Sequence, residues 1–94
     1  MPLESVIVTK AIAAMNKVPG CLAQKIHGSV YGHPTLDVLA CYNGQMLFLE
    51  CKQPGKKATD RQESTMRKWR AVGCICGVFT TTQEALDFLP KEAT

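Results

Sequence analysis

No apolar run in this sequence approaches the ~20 residues that a membrane-spanning helix requires. Nothing near the start has the charged, apolar and small-residue organisation of a signal peptide, and there is no internal repeat or low-complexity segment. Cys-x-x-Cys pairs are missing, and the Cys74-x-Cys76 spacing has no nearby His, so neither a tetrahedral zinc site nor a dithiol redox motif is expected. The five cysteines (Cys21, Cys41, Cys51, Cys74 and Cys76) are an odd number, and each lies in or beside an apolar run. Free thiols in such places behave as small hydrophobes, which predicts reduced, structural cysteines. Helix-turn-helix and zinc-finger signatures are absent as well. The expectation is a cytoplasmic protein that does not use a membrane.

What remains is a chain of 94 residues with 46% hydrophobic and 20% charged residues, ordinary values for a globular protein. Residues 1–94 are expected to form a single domain with one modest core. The net charge of +3 is unevenly placed. Seven basic residues (Lys52, Lys56, Lys57, Arg61, Arg67, Lys68 and Arg70) lie within one stretch with two acids, Asp60 and Glu63, whereas the rest of the chain has four basic residues and six acids. Such a block admits two readings, an electrostatic footprint for a polyanion or a solvated helix face.

Hydrophobic periodicity predicts a first helix over Glu4–Lys17, with Ile7, Ala11, Ala14, Met15 and Val18 at helical spacing and Pro19-Gly20 as the stop. Three strands follow, over Cys21–His27, Leu36–Tyr42 and Gln45–Lys52, the first with the weakest pattern. Asn43-Gly44 between the last two is the dipeptide best suited to a type I′ turn, so these strands should form an antiparallel hairpin. A turn-rich basic loop, Gln53–Ala58, leads to a second helix opened by Thr59 and running to about Val72, with Gly73 ending it. Cys74–Thr80 reads as a fourth strand, and a short helix from near Thr82 ends before Pro90. The order is αβββαβα, a compact α/β sandwich with one mixed sheet.

Side chains alternate across a strand, so Leu47, Leu49 and Cys51 share one face while Phe48, Glu50 and Lys52 share the other. The turn at Asn43-Gly44 sets a register that places Asp37 opposite Glu50. Facing carboxylates repel unless a cation sits between them. Two oxygen ligands on adjacent strands, with room for water and phosphate, suit Mg²⁺ or Mn²⁺. Such a metal would acidify water and polarise a scissile phosphate, and Lys52 on the same face would neutralise charge developing on the phosphoryl oxygens. The competing reading is an exposed strand end with a Glu/Lys pair and an unrelated Asp.

The stretch from Gly32 to Gln62, GHPTLDVLACYNGQMLFLECKQPGKKATDRQ, resembles the virus-type replication-repair nuclease (VRR-NUC) domain of the PD-(D/E)XK superfamily. Gly32-His33-Pro34-Thr35-Leu36-Asp37 is similar to its glycine-proline-aspartate motif, although two residues separate Pro34 from Asp37 where the family often has none. Glu50-Cys51-Lys52 matches the Glu-x-Lys motif in full, Gln62 matches the glutamine opening the next helix, and Glu4 matches a glutamate in the first helix. The likeness runs from Glu4 to about Phe88. A lone Glu-x-Lys is weak evidence; in order, with the preceding Asp and the following Gln, it is far more specific. The resemblance implies a restriction-endonuclease-like αβββαβ core, its mixed central sheet flanked by helices. It implies divalent-metal-dependent DNA cleavage with Asp37, Glu50 and the main-chain carbonyl of Cys51 as ligands and Lys52 as catalytic lysine. Gln62 and Glu4 would join the site, and Lys56, Lys57, Arg61, Arg67 and Arg70 are candidates for phosphate contacts that position DNA without reading sequence.

Minimal family members of this phage-like kind resemble homodimeric Holliday-junction resolvases, which implies a branched-DNA endonuclease of replication, repair or recombination in a bacterial or phage-infected cell. A symmetric four-way junction needs two cuts, and a two-fold dimer supplies two sites. The alternatives are a nicking, flap-cutting or restriction-like nuclease on the same core, and a non-catalytic DNA-binding module. Several residues carry ordinary readings too. Thr59-x-x-Gln62 fits a helix capping box, Glu4 suits a helix N-terminus, His27 and His33 are expected to be neutral hydrogen-bonding groups, and Trp69 is expected in the core. Five cations on one segment cannot all face one way.

Overall fold

Pro19 and Gly20 close off the first helix, and from there the chain builds a sheet on it. The computed structural model describes residues 3–26 and 36–91. Its elements are α1 (Leu3–Asn16), β1 (Cys21–Lys25), β2 (Val38–Tyr42), β3 (Gln45–Cys51), α2 (Asp60–Ala71), β4 (Ile75–Phe79) and α3 (Thr82–Asp87). The strands lie in the order β1-β2-β3-β4. β2 pairs antiparallel with β1 on one side and with β3 on the other, and β4 runs parallel to β3. The mixed sheet between helices agrees with the α/β, restriction-endonuclease-like expectation.

Asn43 (φ 48°) and Gly44 (φ 88°) both take the positive φ of the I′ turn, which sets the register Tyr42↔Gln45 through Val38↔Leu49. One face of the sheet is closed by α1 and α3. Val8, Ala11 and Met15 of α1 pack there on Val38, Ala40, Leu47, Leu49, Cys51 and Phe79, with Ala85 of α3. Gly77 also faces this side: a Cβ there would run into the Phe88 ring, so the glycine is what admits the end of α3. The opposite face carries a smaller cluster of Leu36, Phe48, Met66, Cys74 and Cys76 beneath α2.

Strand ends fall short of the sequence boundaries for identifiable reasons. Leu36 is 1% exposed and sits under α2 instead of continuing β2. Asp37 uses its side chain to accept from the Cys51 N–H, while its carbonyl still accepts from Ile26. His27, His33 and the Gly32–Thr35 portion of the motif lie outside the described residues. Trp69 differs from expectation: it is 47% exposed, with its ring edge-on to Phe48 at 5.4 Å and 86°. The reason is that α2 packs mainly on β4, so the far side of the indole has no sheet beneath it.

The two sheet edges are blunted by side chains. Arg70 donates from Nε and Nη2 to the Cys76 carbonyl of β4 (3.3 and 3.0 Å). Asn16 at the end of α1 mimics a strand partner, accepting from Ala23 N–H (2.8 Å) and donating to Ala23 C=O (3.0 Å) on β1. Replacing Asn16 by Ala leaves both groups of Ala23 without that partner. Asn16→Ala is expected to lower unfolding free energy by about 1–2 kcal/mol, read from the urea midpoint at unchanged slope.

Candidate active site at the end of the central strands

β3 brings the motif residues to a place where the sheet meets the start of α2. Glu50 is the single buried charged residue among the described ones, 5% exposed. Its Oε2 accepts from Gln62 Nε2 at 2.9 Å and lies 3.5 Å from Lys52 Nζ. Its Oε1 is buried with no hydrogen-bond partner. Burial pushes the Glu50 carboxyl up to about 7 from the usual 4.5; the charge of Asp37 adds to this, and Lys52 and Gln62 pull the other way. Asp37, half-buried at the start of β2, is turned toward the same strand end by its 2.9 Å bond from the Cys51 N–H.

Gln62 does two things at once. Its Oε1 accepts from the Thr59 N–H (2.9 Å) and its own N–H donates to Thr59 Oγ1 (3.1 Å), completing a capping box. The same amide turns its Nε2 to Glu50. The helix start and the carboxylate are therefore tied to one side chain. Glu4 approaches β3 from the other face, where its main-chain carbonyl lies 3.7 Å from Cys51 Sγ. Burial, and then the charges of Asp37, Glu4 and Glu50, push that thiol up to about 12, so Cys51 stays protonated and inert. Burial likewise raises Cys76, to about 11, and Cys74 and Cys21. All five cysteines are free.

The donor chemistry fits a hard divalent cation. Glu50 Oε1 is a buried oxygen without a partner, and Asp37 brings a second carboxylate to the same strand end. No cluster of three or more His, Cys, Asp or Glu among the described residues could cage a metal. Any such ion would take its other ligands from main chain, water or phosphate.

The basic residues divide. Lys56 and Lys57 are exposed in the loop before α2, and Arg61, Arg67 and Lys68 are exposed on it. Arg61 and Lys68, seven residues apart, share one flank; that spacing was visible in the sequence and adds Lys68 to the candidates. Arg70 is committed in part to the Cys76 carbonyl. On the other side, Val78 of β4 is registered with Glu50 and opens onto a hollow of about 420 Å³ lined also by Thr80, Glu84, Asp87 and Phe88. Glu84 Oε1 accepts there from the Thr80 N–H and hydroxyl, which hold its carboxyl below the ordinary range. Sequence reasoning missed this acidic flank because only the parallel pairing of β4 brings it alongside Glu50.

A solved structure described as a VRR_NUC domain superposes on this geometry with a TM-score of 0.76, covering 93% of this chain and 94% of that one at 18% sequence identity. The fold is VRR-NUC-like. No family model matches the sequence, and no curated protein matches it. The VRR-NUC-like fold therefore stands on three-dimensional similarity. No helix among the described residues is long and apolar enough to cross a membrane.

Glu50 binds its proton more tightly in the folded protein than in the unfolded chain. Its stabilising contribution is therefore full below about pH 4.5 and is lost as pH rises through about 7. In chelator, thermal stability should fall by up to roughly 3 kcal/mol across that window. Glu50→Gln should flatten the profile, and divalent metal should restore stability at the alkaline end; melting curves at pH 5 and pH 8 check both.

Proposed function

We propose that the protein is a divalent-metal-dependent, structure-specific DNA endonuclease, a homodimeric enzyme akin to Holliday-junction resolvases. The observation that carries this reading is the buried Glu50 carboxylate: Oε2 is held by Gln62 and Lys52, and Oε1 is left without a partner beside Asp37. Burying a charge this way is unfavourable unless something compensates it, and a bound cation is the compensation the donors suit. The likeness to a VRR_NUC domain supports it independently of the residues.

Under this reading Asp37, Glu50 and the Cys51 carbonyl hold Mg²⁺ or Mn²⁺. The cation, when bound, supplies positive charge against the phosphate and acidifies a neighbouring water. The chain's own residues do the rest. Gln62 holds Oε2 of Glu50 and so leaves Oε1, buried and without a hydrogen-bond partner, as the oxygen that would take the ion. Lys52, 15% exposed, presents its ammonium where charge develops on the phosphoryl group. Glu4 supports the site from α1. Lys56, Lys57, Arg61 and Lys68 receive the backbone on one side, while Glu84 and Asp87 repel it on the other, so DNA crosses the site from the α2 side.

Purified protein incubated with labelled four-way junction, flap, nicked duplex and single strands, with Mg²⁺ or Mn²⁺ and with chelator, tests the reading. Paired symmetric cuts in the junction are expected, abolished by chelator and reduced at least 10²-fold in Glu50→Gln and Lys52→Ala. Cleavage of the other forms would keep the chemistry and remove the junction preference; binding without cleavage under any metal would leave a DNA-binding module.

The division of the basic residues makes a separate prediction. Arg61→Ala and Lys68→Ala should each flatten the salt dependence of DNA binding by about 0.9 in log–log slope. Arg70→Ala should act chiefly on stability; fluorescence-anisotropy titrations at several salt concentrations, beside urea melts, separate the two.

A further inference from the structure

Cys74 and Cys76 have no part in the chemistry at Glu50. The chain leaves α2 through Gly73, at positive φ, and turns directly into β4, so the two thiols fall two residues apart on one side of the strand. Both belong to the buried cluster with Leu36, Phe48 and Met66 beneath α2. Both are free, and their side chains share a hydrogen bond. The turn that carries them is firmly held. The Cys74 N–H donates to the Trp69 C=O (3.1 Å), the Gly73 N–H to the Arg70 C=O (3.0 Å), and Gln45 Nε2 to the Gly73 C=O (2.8 Å). Cys76 is closed in, whereas Cys74 lines a hollow of about 260 Å³ bordered by Met46, Trp69 and Val72. Leu47 registers with Ile75, which puts the half-exposed Met46 beside Cys74. A thioether thus stands at the mouth of a short way in to the thiols.

We propose that Cys74 and Cys76 form a two-coordinate site for a soft monovalent cation, Cu(I), held between their sulfurs where α2 gives way to β4. Thiolates select soft ions. No third His, Cys, Asp or Glu joins the pair among the described residues, and zinc and iron–sulfur centres both require more protein ligands. A disulfide is disfavoured, because residues two apart on a strand are separated by about 6.6 Å, near the wide limit for that bond. As the ion binds, each thiol releases its proton to solvent, a sulfur–copper bond forms in its place, and the copper stays Cu(I). The product carries a net negative charge, and Arg70 meets it. Its guanidinium is anchored on the Cys76 carbonyl (3.3 and 3.0 Å), and its charge favours the Cys76 thiolate. A divalent ion between the same thiolates would be neutral overall and would leave that guanidinium without a counterpart. Burial holds the Cys76 thiol up at about 11, so an ion must bind sulfur strongly to displace the proton. The site does not rest on the nuclease reading. Cys74 stands four residues before Val78, the residue in register with Glu50, or about 13 Å along the sheet. Its soft donors do not compete with the oxygen donors there for a hard cation.

Trp69 is the only tryptophan and borders the same hollow as Cys74, which makes its emission a reporter of the site. Reduced protein, titrated without oxygen with Cu(I) from a chromophoric chelator, tests the proposal, with Ag(I) as a redox-inert probe and Zn(II) for comparison. One equivalent of Cu(I) or Ag(I) should raise the ultraviolet thiolate-to-metal absorption, quench Trp69 and raise the melting temperature. Zn(II) at the same concentration should do none of these. Cys74→Ala and Cys76→Ala should each weaken Cu(I) binding by at least about 100-fold, beyond the usual cost of losing a group that only supports a ligand. The double variant Cys21→Ala/Cys41→Ala should bind as the wild type does. Should either buried variant fail to fold, that double variant decides. X-ray absorption of its copper should still show two sulfur neighbours. Of its thiols only Cys74 and Cys76 can supply both, since Cys51 lies on the opposite face. The site is overturned if the chelator keeps the copper, if Zn(II) binds as tightly as Cu(I), or if binding survives in Cys74→Ala and Cys76→Ala and is lost in the double variant. DNA cleavage enters none of these outcomes.

Discussion

A carboxylate held almost entirely out of water, Glu50 on β3, is the constraint to which the surrounding structure answers. Desolvation makes its charge unfavourable, and the neighbours compensate only in part: Lys52 and Gln62 share one oxygen and leave the other bare. Much of the local architecture serves to keep this arrangement rigid. Gln62 can reach Glu50 only because Thr59 starts α2 at the strand end, and the capping box locks that start. Asp37 is held by the Cys51 N–H, so the second acid cannot swing away from the first to relieve repulsion.

The α2 side of the sheet is graded. Across β1, β2 and β3 the row Leu22–Cys41–Met46 is apolar and open, the row Gln24–Leu39–Phe48 is intermediate, and beyond it come Ile26, Asp37 and Glu50. A single incomplete helical layer creates both ends of this gradient. Where α2 begins it shields a charge and tunes it; where it ends, at Trp69 and Val72, it leaves hydrophobic surface uncovered. The buried carboxylate and the uncovered apolar surface thus occupy opposite ends of one face, while the other face, filled by Met15, Leu47, Leu49 and Phe79, holds the fold together.

Charge distribution follows the same economy. Exposed cations gather on the loop before α2 and along the helix, and the acids Glu84 and Asp87 stand across the β4 edge. Arg70 and Asn16 are spent on the edges of the sheet, where open backbone groups would invite pairing with other strands.

Much of this was legible in the chain itself because it depends on local rules. Asn43-Gly44 determines a type I′ turn, the turn determines the hairpin register, and the register puts Asp37 and Glu50 at one strand end. Alternation along β3 and the order of the elements follow from period and punctuation alone. Other features depend on which element lies over which, and no local pattern carries that. The exposure of Trp69, the covering of Leu36, the diversion of Arg70 to Cys76 and the acidic hollow beside Glu50 all arise because α2 settles over β4 and β4 pairs parallel to β3. Residue types and spacing determined the strand end where the two acids gather; the docking of α2 decided how far Glu50 is buried, and so how far desolvation pushes its carboxyl up.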